Sequence, residues 1–139
     1  FEYKLPPGGN NGLAIRYPGS GDTAYVGMCE LQVLDDTSNK YAKLHPSQYH
    51  ASAYGMVAAE RGYQRPVGDW NFQQVTVIGS TIVVEMNGVR ILNADLAKVE
   101  KPMYDINRFK GRLRKTGYFG FAGHGDAVSF RNVKIKSLK

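Results

Sequence analysis

The 139-residue sequence predicts a single all-β domain, built as a two-sheet antiparallel β-sandwich. Three observations carry this. Apolar runs are short and punctuated by glycine, with 16 Gly and 9 Tyr in the chain. No stretch sustains the periodicity of a long amphipathic helix. Alternating segments recur between turn signals, and Asn87-Gly88 is a strong hairpin dipeptide.

Taken in order, residues 1–5 read as a strand with Phe1, Tyr3 and Leu5 on one face. Pro6 through Gly12 is a turn, because Pro fixes φ while Gly and Asn tolerate positive φ. Leu13 to Tyr17 follows as a partner strand, with Leu13 and Ile15 toward the core. Residues 18–24 form a second loop. The strand ending at Asp35-Asp36 comes next. Its Leu31 and Val33 face the core, and Glu30 and Gln32 share the opposite face. A bulge near Leu34 would turn Asp35 onto that same face, gathering three oxygen-bearing groups as the floor of a sugar-sized site. Cys29 then faces the core as a small hydrophobe, with a nucleophilic thiolate the alternative.

Residues 37–69 lack periodicity and hold Tyr41, His45, Tyr49, His50, Tyr54 and Tyr63. A long ordered loop is usually functional, and tyrosines suit sugar rings; equally, these aromatics can pin the loop to the sheet. His45 and His50 find no third metal ligand at a convincing spacing. Strands are expected at Phe72–Ile78, Thr81–Met86 and Val89–Leu92, with a helical turn near Leu96. Residues 93–116 are irregular and charged. Gly117 to His124 is a strand with Phe119 and Phe121 on one face and Gly120, Ala122 and His124 on the other, so open space is expected above the small residues. Val128, Phe130, Val133 and Ile135 anchor the last strand, with a bulge near Arg131-Asn132.

One domain over residues 1–139 is long enough to bury a real core. A single cysteine excludes an internal disulfide and any multi-cysteine metal site. No apolar run is long enough to span a bilayer. The net charge is +6, and much of the excess lies between Lys98 and Lys115. Such a run can bind phosphates, but no nucleic-acid motif accompanies it, so a solvated loop is expected and nucleic acid is not. The chain opens without Met and within an alternating segment, as though an upstream segment, and a signal peptide with it, had been removed.

Four segments carry a resemblance. Gly8-Gly-Asn-Asn-Gly-Leu-Ala-Ile-Arg16 resembles GGN-[SN]-G-[IL]-x-[IL]-R, and Glu30-Leu-Gln-Val-Leu-Asp35 resembles E-x-Q-[IV]-L-D. Pro66-Val-Gly-Asp-Trp-Asn71 resembles P-x-G-[ED]-W-N. Gly117 through Gly125, followed by Val128-Ser-Phe-Arg-Asn-Val133, resembles G-x-[IF]-G-[FL]-x-x-HG…V-x-FRN-[IV]. In this order, over nearly the whole chain, they are similar to the 3-keto-disaccharide hydrolase family.

The resemblance implies a concanavalin-like jelly roll with further strands ahead of Phe1. Residues 1–139 would then be the larger, C-terminal part of a longer domain, associating with a preceding segment. It implies a saccharide ligand, an exported bacterial setting (periplasmic or extracellular), no cofactor, and a metal requirement left open. It places Asn11, Arg16, Glu30, Gln32, Asp35, His124 and Arg131 in the cleft, with pairing to a carboxylate at the sandwich edge an equal alternative for Arg131, while Trp70 is read as core.

The implied substrate is a glycoside oxidised at C3. The ketone acidifies the hydrogen at C2, a base removes it, the glycosidic oxygen leaves C1, and water adds back. Such a route needs a base, an acid and donors for the enolate. Glu30 or His124 would be base or acid, Arg16 or Arg131 would stabilise the enolate, and Gln32 and Asn11 would orient hydroxyls, with Asp35 also binding substrate. Conventional glycoside hydrolysis and a non-catalytic lectin-like module remain the alternatives.

Overall fold

A computed structural model describes residues 1–138. In chain order the strands are β1 (Glu2–Lys4), β2 (Asn10–Tyr17), β3 (Cys29–Leu34), β4 (Asn71–Ile78), β5 (Thr81–Met86), β6 (Val89–Asp95), β7 (Tyr118–Gly123) and β8 (Ser129–Arg131). They form two antiparallel sheets, one ordered β6-β5-β4-β1-β8 and the other β3-β2-β7. A short helix, α1 (Thr23–Val26), precedes β3; Asp22 caps it, its side chain accepting a hydrogen bond from Ala24 N.

The core lies between the sheets, where the period-two pattern sends it. Leu13, Ile15, Cys29, Leu31 and Val33 enter from the smaller sheet. Tyr3, Ile82, Val84, Met86, Leu92 and Ala94 enter from the larger one. Cys29 is fully enclosed, and burial pushes its thiol far above the usual range, so it is no nucleophile. The β4–β5–β6 meander follows the expected boundaries closely. Its second turn has Asn87 at φ 49° and Gly88 at φ 86°, the pair of positive values a type I′ hairpin requires.

The long segment after β3 is ordered. It makes 3-10 turns at Asn39–Tyr41 and Pro46–Gln48, then runs beside β3 as an additional edge. Ala51 N donates to Gln32 O at 2.7 Å, Gln32 N to Ser52 O at 3.1 Å, and Tyr54 N to Glu30 O at 2.9 Å.

Several expectations are corrected. β3 pairs with β2 in unbroken register from Asn10↔Leu34 to Ile15↔Cys29, so there is no bulge near Leu34. The irregularity falls in β2 instead, between Ala14 and Tyr17 in the β2–β7 register, where Arg16 takes φ 47°. The last strand stops at Arg131 because Asn132 turns at φ 51°. Val133 and Ile135 are therefore no anchors; they are 43% and 75% exposed. Trp70 is not core: it sits at the sandwich edge, with Lys4 Nζ 5.0 Å and the Arg131 guanidinium 4.0 Å from its ring. The basic run is partly committed to packing, as Arg108 stacks on Tyr25 and Tyr104, and Arg114 Nε donates to Val26 O at 2.6 Å. No helix among the described residues is long and apolar enough to cross a membrane.

One polar tie crosses the core. His50 Nδ1 accepts from Leu34 N at 3.2 Å, so its proton is on Nε2, which reaches Gln73 Oε1 at 2.9 Å and Tyr3 Oη at 3.0 Å. Burial pushes the His50 pKa down to about 4. An unfolded histidine titrates near ~6.5. Between those values the unfolded chain takes up a proton that the folded one refuses, so stability present above pH 6.5 is lost as pH falls toward 4. The full loss amounts to about 3 kcal/mol. Denaturant midpoints measured from pH 7.5 to 4 should fall accordingly. His50→Gln should flatten the slope, and an unchanged slope in that variant would remove His50 as its source.

Candidate active site

The outer face of the smaller sheet carries the site. The alternation that sends Leu13 and Leu31 inward leaves Asn10, Gly12 and Ala14 of β2, and Glu30, Gln32 and Leu34 of β3, on the opposite face. Gly120 and Ala122 of β7 lie beside Ala14 and Gly12. A cleft of about 210 Å³ opens over this face, walled by Asp22, Ala24 and Tyr25 on one side and by Tyr41, Leu44, Gln48 and Tyr54 on the other. Small-molecule pockets usually hold roughly 300–1,000 Å³, so this one suits a single ring.

Glu30 is the buried acid of the cleft. Its side chain lies across Gly12: a Cβ there would come within 2.0 Å of Oε1. Oε2 accepts a hydrogen bond from the Thr23 hydroxyl. Oε1 faces His124 Nε2 at 3.8 Å, beyond hydrogen-bond range. Burial pushes the Glu30 carboxyl above the usual carboxylate range; the Thr23 hydroxyl and then His124 partly offset this, while Asp22 adds to the rise. The His124 side chain is about half exposed, at 49%, at the cleft mouth.

The amides form a second group. Gln32 Nε2 donates to Asn10 Oδ1 at 3.0 Å, which leaves Asn10 Nδ2 as a donor and Gln32 Oε1 as an acceptor for a ligand. Tyr54 Oη accepts from Gln48 Nε2 at 3.0 Å, and its own proton remains to donate. Tyr41 serves both readings of the aromatic loop: it lines the cleft, and its hydroxyl donates to Gly8 O at 2.9 Å, pinning the turn. Tyr49 belongs to packing, its hydroxyl donating to Tyr41 O at 2.8 Å.

Of the seven residues expected in the cleft, Glu30, Gln32 and His124 come together there. The other four do not. Asn11 points to the core side, its Oδ1 accepting from Gly12 N at 2.9 Å; Asn10 occupies the cleft instead. The positive φ of Arg16 swings its guanidinium away, to donate to Gly79 O at 2.6 Å and Arg114 O at 2.8 Å. With no bulge to turn it, Asp35 closes a loop, accepting from Gly8 N at 2.8 Å and from the Thr37 amide and hydroxyl at 3.0 and 2.6 Å. Arg131 pairs with Glu2 at 3.0 Å on the other sheet. Sequence reasoning missed Asn10, Asp22 and Thr23, and named Tyr54 only as one of the loop tyrosines suited to a sugar ring. Alternation through β2 identifies Asn10; the others lie outside strands and give no periodic signal. Among the described residues, no three His, Cys, Asp or Glu side chains gather to hold a metal ion.

The comparisons agree with this architecture. A 3-keto-disaccharide hydrolase of Bacteroides thetaiotaomicron is 28% identical over 166 aligned positions, covering 99% of this chain. The chain spans 57% of that relative's length. Two solved structures of candidate glycosyl hydrolases from Parabacteroides distasonis share the fold. One has a TM-score of 0.74 at 23% identity, over 99% of this chain and 70% of its own. The other has a TM-score of 0.73 at 22% identity, over 91% and 70%. The profile of the 3-keto-alpha-glucoside-1,2-lyase-like domain matches residues 1–136, and the chain belongs to that family.

Proposed function

We propose that this domain cleaves glycosides oxidised at C3, by elimination followed by hydration, with Glu30 and His124 as its proton-transferring pair. The observation that carries this is the Glu30 carboxyl itself. It is buried, its pKa is raised, and Oε1 is open toward His124 Nε2 3.8 Å away, in a cleft whose other polar groups are amides, phenols and the Asp22 carboxyl. Two such groups side by side serve neighbouring atoms of one ring. One takes the proton from C2 while its electrons pass into the C3 carbonyl as an enolate. The enolate collapses, the C1–O bond breaks, and the other group delivers a proton to the departing oxygen. Water then adds at C1, and the sum is hydrolysis.

Arg16 and Arg131 are engaged elsewhere, so the enolate donor comes from the cleft: the Tyr54 hydroxyl or Asn10 Nδ2. The family membership and the name of the bacterial relative support the choice of a 3-keto sugar.

The test compares a 3-keto-disaccharide with its unoxidised parent. Release of the leaving sugar from the keto form alone is expected. Equal release from both would point to conventional glycoside hydrolysis. Recovery of both intact, with binding detected, would reduce the domain to a lectin-like module.

A further inference from the structure

We propose that Thr23 is a positioning residue of this site, fixing which oxygen of Glu30 meets the ligand. The inference rests on the functional reading above. The Thr23 hydroxyl is hydrogen-bonded to Oε2, and Gly12 offers no side chain to hinder the carboxyl from lying flat over β2. Oε1 is thereby turned toward His124, and it alone is left for proton transfer with a ligand.

Thr23 is itself held firmly. It is the first residue of α1, which Asp22 caps, and its carbonyl accepts from Gly27 N. The next turn of chain is gripped from outside: Gly111 N donates to Tyr25 O at 2.9 Å, and Arg114 Nε to Val26 O. The Arg108 guanidinium lies 4.6 Å from the Tyr25 ring, closing the same side. The hydroxyl is thus part of a rigid frame rather than a free rotor on a mobile loop.

The arrangement has a titration consequence. The titratable groups around Glu30 are Asp22 before α1, the buried Cys29 thiol next to it on β3, His124 beyond β7, and the Tyr25, Tyr41 and Tyr54 phenols of the two walls. Burial and Asp22 disfavour the ionised carboxyl; the Thr23 hydroxyl favours it, ahead of His124. Removing the hydroxyl leaves burial less opposed.

The test uses the intact chain with Thr23→Val and Thr23→Ser, followed by carboxyl-region NMR and by the pH profile of kcat/KM on a 3-keto-glycoside. Thr23→Val is expected to move the Glu30 titration midpoint up by about one unit, the size of a lost charge-assisted hydrogen bond. The acid limb of the profile should move with it. Thr23→Ser should restore both. A Glu30 midpoint unmoved in Thr23→Val, with the fold intact by circular dichroism, would overturn the proposal. If the midpoint moves but no variant, wild type included, turns over the keto substrate, Thr23 still positions Glu30, and it is the reaction assignment that fails.

Discussion

Replacing Glu30 by glutamine is expected to lower kcat/KM for a 3-keto-glycoside by about 10²- to 10⁴-fold. The amide keeps the shape of the side chain and can still partner the Thr23 hydroxyl, so the cleft keeps its form. What is lost is the proton. Because the wild-type carboxyl is buried and its pKa is raised by that burial, a neutral amide relieves a desolvation cost. Thermal stability at neutral pH should hold or rise while turnover collapses. That opposite movement separates a chemical role from a structural one. A Glu30→Gln protein with full turnover would remove Glu30 from the reaction, and its stability would then be irrelevant.

The second large effect is expected at Gly12. Its φ is not in the left-handed region, so the backbone accepts alanine there. The obstacle is the Glu30 side chain, whose Oε1 would lie 2.0 Å from the new methyl and whose Cδ would lie 2.5 Å from it. The carboxyl must move off β2, away from its station opposite His124. Gly12→Ala should therefore cost activity on the scale of Glu30→Gln, together with about 1–3 kcal/mol of stability from overpacking. In a Glu30→Ala background the clash partner is gone, and the same Gly12→Ala change should cost under about 0.5 kcal/mol. Such a cycle assigns the loss to this one contact. Chemical denaturation of the four proteins measures it; equal costs in both backgrounds, or near-normal turnover in Gly12→Ala, would contradict the account.

How far the sequence could be read depended on what each residue's neighbours imposed. Period-two alternation put Glu30 and Gln32 on one face and Cys29, Leu31 and Val33 on the other, and the structure keeps that division. The same rule set Gly120, Ala122 and His124 together over open ground; a Cβ at Gly120 would touch nothing within 4 Å. Where a motif was carried over without the alternation, the result slipped. Asn11 is the motif position, but with Leu13 and Ile15 inward it must face inward too, and Asn10 takes its place.

Asp35 was assigned to the cleft through a bulge that β3 does not have. In the smaller sheet the irregularity lies at Arg16, a non-glycine residue with positive φ, and nothing in the residue type announces it. Thr23 was out of reach for a different reason, and Tyr54 could not be told from the other loop tyrosines: their positions come from packing between segments distant in sequence, which no local pattern encodes. His50, in a segment without periodicity, proved to be a core residue tied to both sheets.

The stretch from Ala51 to Tyr54 is bonded to the main chain of β3, and this fixes the wall on that side of the cleft. A wall joined to a strand by three amide–carbonyl links is a continuation of the sheet, and it cannot lift like a lid without stripping those groups of their partners. The cleft is therefore braced on the side of Tyr54. For the sugar ring proposed above, this wall would act as a preformed surface, so that binding against it costs little reordering of the chain.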